Sequence, residues 1–335
     1  MNKPLTAKDF ATDQEVRWCP GCGDYAILKA VQKTLADIEA DPDNTAFISG
    51  IGCSSRFPYY VNAYGFHTIH GRAPAIATGL KLSQPDVDVW LVTGDGDGLS
   101  IGGNHLLHVI RRNLDLQILL FNNEIYGLTK GQYSPTSRPG TRSPSSPGGS
   151  LDAPVSPCGF AYGAGAKFIA RGIDTDAKGL PSILAAAHEF KGAAFVELFQ
   201  NCIVYNKDVF AEFTEKKTAP TTQLHVVHGQ PLVWGNGTKG LIFDQSTFAL
   251  KAIDLDSEGK PSEGEVLVHD ETNRTLARLL IEMPHPEFPM ALGVIYRDTE
   301  SNPFETAFWA NHPTNGVRTK SIAHTLRAGN TWQRT

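Results

Sequence analysis

Apolar residues fall along this chain in short, near-continuous runs separated by segments of helical spacing. Ala46-Phe47-Ile48-Ser49, Val87 to Val92 and Leu116 to Phe121 are three such runs, and Lys167 to Ala170 and Ala194 to Leu198 follow later. Between them, Arg72 to Leu82 reads as a small-residue helix. Leu99 to Arg112 carries Leu106, Leu107, Val109 and Ile110 at helical spacing, and Pro181 to Phe190 reads as a further helix. Strands apolar on both faces and alternating with helices predict an α/β fold, a parallel sheet covered by helices on both faces. Lys130 to Ser150 is too rich in Pro, Ser and Gly for regular structure. Because βα alternation continues on both sides of it, the segment is read as a loop inside one domain, and long loops of that kind often serve a site.

The pattern changes after residue 218. Gly240 to Asp244 and Phe248 to Ile253 predict a hairpin, and Glu271 to Met283 predicts a helix with Asp270 as its cap. The remainder is Pro- and His-rich and aperiodic. The expected organisation is a domain over 1–218 and a C-terminal extension over 219–335 that packs on the domain or on a partner subunit. No internal repeat is visible.

With 335 residues, 41% hydrophobic and 19% charged, the chain is of ordinary globular composition. A net charge of −5 argues against a nucleic-acid partner. No apolar stretch follows Met1-Asn2-Lys3-Pro4-Leu5, and no run approaches the ~18 apolar residues of a membrane span. The expectation is a cytoplasmic protein with no membrane partner. Its five cysteines are an odd number, which in a reducing compartment suits ligands or core thiols better than disulfides.

One loop carries distinctive chemistry. Gly94-Asp95-Gly96-Asp97-Gly98 follows a predicted strand, and Asn122-Asn123-Glu124-Ile125-Tyr126-Gly127 follows the next, with Asn123 28 residues past Asp95. Glycines in a strand-to-helix turn let backbone approach an anion. Asp95, the Asn123 amide oxygen and the Ile125 carbonyl are hard oxygen donors of the kind Mg²⁺ accepts, with phosphate oxygens completing its octahedron. A plain Gly/Asp turn is the bland alternative. A calcium loop fails at Leu99, where an oxygen ligand is required.

Trp18-Cys19-Pro20-Gly21-Cys22-Gly23 has three readings. A thioredoxin-like redox pair needs a strand directly before it, and residues 1–17 are polar. A structural zinc site would bring a second closely spaced cysteine pair, whereas Cys53 and Cys202 are single and distant. The third is a [4Fe–4S] cluster held by thiolates from separate segments. Cys158, at the start of a predicted helix, is left outside that set as a core thiol. Cys53, Asp95, Asn123 and Cys202 each follow a predicted strand, where open α/β sheets bind ligands.

Five motifs occur in order: Trp18 to Gly23, Gly50-Ile51-Gly52-Cys53-Ser54-Ser55, His70-Gly71-Arg72-Ala73, Gly94 to Gly98, and Asn123-Glu124-Ile125-Tyr126-Gly127-Leu128-Thr129-Lys130-Gly131-Gln132. Together they resemble the β subunits of 2-oxoacid:ferredoxin oxidoreductases, most closely the 2-oxoglutarate type, over roughly residues 10–215. The resemblance implies a thiamine diphosphate-binding fold that holds the diphosphate half of the cofactor. It implies Mg²⁺ at Asp95, Asn123 and the Ile125 carbonyl, and cofactor contacts from Ile51, Gly52, Cys53, Ser54, His70, Gly96, Asp97, Gly127 and Leu128. It further implies one [4Fe–4S] cluster on Cys19, Cys22, Cys53 and Cys202. An α subunit would complete the thiamine and coenzyme A sites, in an α/β heterodimer or a dimer of heterodimers, and ferredoxin would take the electrons. The implied reaction interconverts 2-oxoglutarate and coenzyme A with succinyl-CoA and CO₂.

Two cations near these motifs are candidate catalytic groups. Arg56 is suited to clamp the distal carboxylate of 2-oxoglutarate, or else it pairs structurally or meets the partner subunit. Lys130 is suited to steady substrate or a coenzyme A phosphate, or else it is a solvated loop lysine. The rival functions are a pyruvate or broad 2-oxoacid enzyme of the same family and a non-oxidative thiamine decarboxylase with structural zinc.

Overall fold

The computed structural model describes residues 4–312, 321–328 and 331–332, so the end of the expected extension lies partly outside the described residues. One eight-stranded sheet organises the chain. Its strands are β1 (Thr45–Ser49), β2 (Tyr64–His67), β3 (Asp88–Gly94), β4 (Leu116–Asn122), β5 (Phe168–Ile173), β6 (Ala193–Phe199), β7 (Gln223–Val226) and β8 (Met290–Arg297). The spatial order is β2-β1-β3-β4-β6-β5-β8-β7. The first six pair in parallel, whereas β8 runs antiparallel to β5 and carries β7 parallel to itself at the far edge.

The near-continuous apolar runs arise because successive side chains feed two different cores. On β3, Val89 and Leu91 face one layer while Trp90 and Val92 face the other; on β4, Ile118 and Leu120 oppose Leu119 and Phe121. The first layer is closed by the helices Ala73–Ser83, Gly103–Arg112, Pro157–Gly163 and Arg274–Ile281. The second is closed by Asp24–Asp37 and Gly179–Glu189. Asp24–Asp37 buries Ile27, Leu28, Val31 and Leu35, one helical face. Each such side chain contributes about 1.5–3 kcal/mol on burial.

Three expectations shift. The pattern over Leu99–Arg112 becomes two helices, Asp95–Leu99 and Gly103–Arg112. They break where Gly71 and Gly102 pack backbone to backbone: a Cβ on Gly102 would lie 2.4 Å from the Asp97 carbonyl. The helix expected over 271–283 is Arg274–Ile281, capped by Asn273, whose side chain accepts from the amides of Thr275 and Leu276. Asp270 instead caps the turn before it, through the amide of Thr272. The segment past 218 does form the predicted hairpin, Lys239–Asp244 with Ala249–Asp254, but it also supplies β7 and β8 to the main sheet.

Beneath the sheet's carboxyl ends lies a buried ion pair. Arg171 on β5 donates through Nε to Glu197 Oε2 on β6 at 3.0 Å, and the Cys158 thiol donates to the same oxygen at 3.1 Å. Glu197 Oε1 accepts from the amide of Asn122 on β4 at 2.9 Å. Cys158 is thus a fully buried thiol with a hydrogen-bonding task, pushed well above the usual thiol range by burial. Removing one partner of such a pair strands a buried charge. Arg171→Leu is therefore expected to destabilise the full chain by about 3–5 kcal/mol in urea unfolding, and Arg171→Leu/Glu197→Leu to recover much of that loss. A single variant as stable as the parent would refute this account.

Candidate functional site

The sheet sends four loops to one place. β1 leads into Ile51–Cys53, β3 into Asp95, β4 into Asn123 and β6 into Gln200–Cys202. Ile51, Gly52, Cys53, Ser54, His70, Asp95, Gly96, Asp97, Asn123, Ile125, Gly127 and Leu128 line a single pocket there. Cys19, Cys22, Cys53 and Cys202 line an adjacent pocket with Arg17, Arg56 and Lys130. Cys53, Asn123, Gly127, Leu128 and Gln200 are common to both.

In the first pocket Asp95 is buried, and its Oδ2 accepts from the hydroxyls of Ser134 and Thr136, each at 2.6 Å. Burial pushes its carboxyl up to about 6, against the pull of those two hydroxyls and of backbone amides. Asn123 is oriented from both ends, Nδ2 donating to Gln200 Oε1 at 2.7 Å and Oδ1 accepting from the Ile125 amide at 3.2 Å, which leaves Oδ1 a second lone pair. Asp97 has a different task. Its Oδ1 accepts from the amides of Ile51 and Gly71 and from His70 Nδ1, and its Oδ2 from the Thr93 hydroxyl. It therefore ties three loops together and fixes the imidazole through Nδ1. Gly96 is required by contact, because a Cβ there would lie 2.3 Å from the Tyr126 ring, whose hydroxyl donates to the Gly96 carbonyl.

In the second pocket, Trp18 links two cysteine segments. It packs among Tyr25, Phe57 and Tyr60, and its Nε1 donates to the Cys53 carbonyl at 2.7 Å. The turn at Cys19–Cys22 closes through the Cys22 amide on the Cys19 carbonyl, with Gly21 at φ 87°. Gly127 lies beside both Cys202 and Cys53; a Cβ there would lie 3.4 Å and 3.6 Å from their sulfurs. Burial raises the Cys22 and Cys53 thiols, the latter to about 12. Among the described residues no three His, Cys, Asp or Glu side chains converge closely enough to hold one metal ion. A mononuclear zinc site would need its sulfurs about 2.3 Å from a single point. Arg56 and Lys130 make no side-chain ion pair among the described residues.

These features coincide with comparisons to known proteins. Residues 50–198 match the thiamine pyrophosphate enzyme C-terminal TPP-binding domain, so the pocket of Asp95 and Asn123 lies in a thiamine diphosphate-binding fold. A 2-oxoglutarate oxidoreductase subunit KorB of Mycobacterium tuberculosis is 52% identical over 270 residues, spanning 80% of this chain and 71% of that protein. The chain belongs to the β-subunit family of 2-oxoacid:ferredoxin oxidoreductases. Within this oxidoreductase family, subunit beta of 2-oxoacid:ferredoxin oxidoreductase 1 from Aeropyrum pernix is 47% identical over 204 residues, 61% of this chain and 64% of that one. A 2-oxoglutarate:ferredoxin oxidoreductase from Magnetococcus marinus, solved with 2-oxoglutarate, coenzyme A and succinyl-CoA bound, matches with a TM-score of 0.75. It is 30% identical and covers 97% of this chain and 95% of that one. Among the described residues no helix is long and apolar enough to cross a membrane.

Sequence reasoning overlooked several residues of this family member's site. Gln200 holds Asn123 through its oxygen, and its nitrogen lies 3.1 Å from the Cys22 sulfur, so it bridges the two pockets. Its place between a strand end and Cys202 was the available signal. Asp24, almost fully buried, lines the first pocket, and burial pushes its carboxyl up to about 7. Its nearness to Cys22 in sequence was the signal there. Ser134 and Thr136 stand in a serine-rich loop where nothing local distinguishes them.

Proposed function

We propose that this chain is the cytoplasmic β subunit of a 2-oxoglutarate:ferredoxin oxidoreductase. The enzyme reversibly converts 2-oxoglutarate, coenzyme A and oxidised ferredoxin to succinyl-CoA, CO₂ and reduced ferredoxin. One observation carries this reading above the others: a pocket of hard oxygen donors and a pocket of four cysteines share a wall at Cys53, Asn123, Gly127 and Gln200. Thiamine diphosphate supplies the electron sink for decarboxylating a 2-oxoacid, and a [4Fe–4S] cluster one-electron steps toward ferredoxin.

In this reading Asp95, Asn123 and the Ile125 carbonyl hold Mg²⁺. Ile51 to Ser54, His70, Gly96, Asp97, Gly127 and Leu128 shape the diphosphate cradle, Asp97 from behind. Cys19, Cys22, Cys53 and Cys202 hold the cluster. An α subunit completes the thiamine and coenzyme A sites. Anoxic EPR of the co-purified subunits tests the whole: addition of 2-oxoglutarate with thiamine diphosphate and Mg²⁺ is expected to produce an organic radical or a reduced-cluster signal. Zinc in place of iron, with no signal under dithionite, would refute it in favour of a non-oxidative enzyme.

Arg56 and Lys130 face the shared region without carboxylate partners among the described residues, which suits them to ligand anions. Arg56 holds the distal carboxylate of 2-oxoglutarate, and Lys130 steadies substrate or a coenzyme A phosphate. A lost charged hydrogen bond is worth about 1.5–3 kcal/mol. Arg56→Ala is therefore expected to cut kcat/KM for 2-oxoglutarate by roughly 10- to 100-fold and to leave pyruvate turnover nearly unchanged. An unaltered preference in competition kinetics would point to the broader 2-oxoacid specificity named for the Aeropyrum relative.

A further inference from the structure

We propose that Ser134 and Thr136 are the positioning residues of the metal-binding carboxylate, and that Arg138 latches their loop into place. The proposal rests on the reading of Asp95 as a Mg²⁺ ligand and adds the device that presents it.

A carboxylate oxygen has two lone pairs, and a hydroxyl has one proton to give. Ser134 and Thr136 both donate to Asp95 Oδ2 at 2.6 Å, within the range of short hydrogen bonds to an ionised acceptor. Both hydroxyls fall on Oδ2 and set the carboxylate plane, which makes Oδ1 the oxygen without a hydroxyl donor. The neighbouring hydroxyl is also accounted for: Ser137 accepts from the Ser134 amide at 2.8 Å and donates to the Glu124 carbonyl at 2.5 Å. All three side chains are buried. This hydroxyl cluster thus joins the Asp95 loop to the loop of Asn123 and Ile125, the other two proposed donors.

Arg138 fastens the same segment from outside. Its Nε donates to Glu124 Oε2 at 3.2 Å, and Nη2 donates to Glu212 Oε1 at 2.8 Å and to the Val209 carbonyl at 2.9 Å. Glu124 stands between Asn123 and Ile125 with φ at 54°. Asn206 adds a bond from Nδ2 to the Asn123 carbonyl at 2.9 Å. The 130–150 loop is therefore clamped on the donor loop and on the segment that follows Cys202, and its hydroxyls are held against Asp95.

The test uses the complete complex with its partner subunit, with Mn²⁺ as the metal probe. Binding is read from loss of the free aquo-Mn²⁺ EPR signal in the presence of thiamine diphosphate. Outer partners of metal ligands typically carry about 10- to 100-fold in affinity. Thr136→Val, similar in shape but without the hydroxyl, and Ser134→Ala are each expected to weaken Mn²⁺ binding by at least ~10-fold. Thr136→Ser, which keeps the hydroxyl, is expected to bind as the parent does. Arg138→Gln is expected to weaken binding in the same direction and to speed tryptic cleavage at Arg142. Parental Mn²⁺ affinity in Thr136→Val and Ser134→Ala would overturn the proposal while leaving Asp95 as a ligand. A parent complex that binds no Mn²⁺ with thiamine diphosphate would overturn both.

Discussion

Cys53→Ser is expected to remove nearly all iron from the anoxically purified complex and to abolish its dithionite-reduced EPR signal. The parent should carry about four irons per chain. Soft thiolates select iron–sulfur clusters, and a serine hydroxyl is a poor substitute. Cys53 is also the cysteine with the most built around it. The Trp18 indole holds its carbonyl, a Cβ at Gly127 would lie 3.6 Å from its sulfur, and it borders both pockets. The oxygen donors Asp95, Asn123 and the Ile125 carbonyl stand on other loops. Mg²⁺-dependent thiamine diphosphate binding should therefore survive within a few-fold, which separates loss of the cluster from loss of the fold. Full iron content with an unchanged spectrum would remove Cys53 from the cluster. Iron lost together with all cofactor binding would point to collapse of the shared wall.

The parts of this protein that sequence made legible are those whose cause is local. A strand buried on both faces must be apolar at nearly every position, so β1, β3, β4, β5 and β6 announced themselves. Their carboxyl ends then located Cys53, Asp95, Asn123 and Cys202 before any contact was known. What escaped depends on contacts far apart in sequence. Met290–Arg297 does carry a local signal, the apolar run Met290-Ala291-Leu292-Gly293-Val294-Ile295-Tyr296, but it follows a Pro- and His-rich stretch and holds Gly293 at φ 121°, and its place beside β5, more than a hundred residues earlier, is set by tertiary contact. Gly102 breaks a helix only because Gly71 needs its space. The Ser134 and Thr136 hydroxyls matter only because Asp95 lies beneath them, across about forty residues of chain. Composition identified that segment as a loop, but the bonds that make it part of the site are tertiary.

Asp95→Ala is expected to raise the dissociation constant of thiamine diphosphate, measured by calorimetry on the complex in Mg²⁺, by at least ~100-fold, about 2.7 kcal/mol. Asp95 is the one carboxylate in the proposed donor set, so its removal takes the anionic ligand and leaves two neutral oxygens. It also leaves the Ser134 and Thr136 hydroxyls buried without their acceptor, which adds to the cost. The same carboxyl supplies a pH test. Burial raises it to about 6, so in the metal-free protein it takes a proton as pH falls through that value, and the proton competes with Mg²⁺. Affinity for Mg²⁺ and thiamine diphosphate in the parent should hold steady well above pH 6 and fall below it, with excess Mg²⁺ moving the fall to lower pH. Asp95→Asn has no proton to exchange in this range, so its weak binding should lose that dependence. A parent affinity flat from pH 7 to 5, or an Asp95→Asn variant that keeps the slope, would assign the metal to other donors.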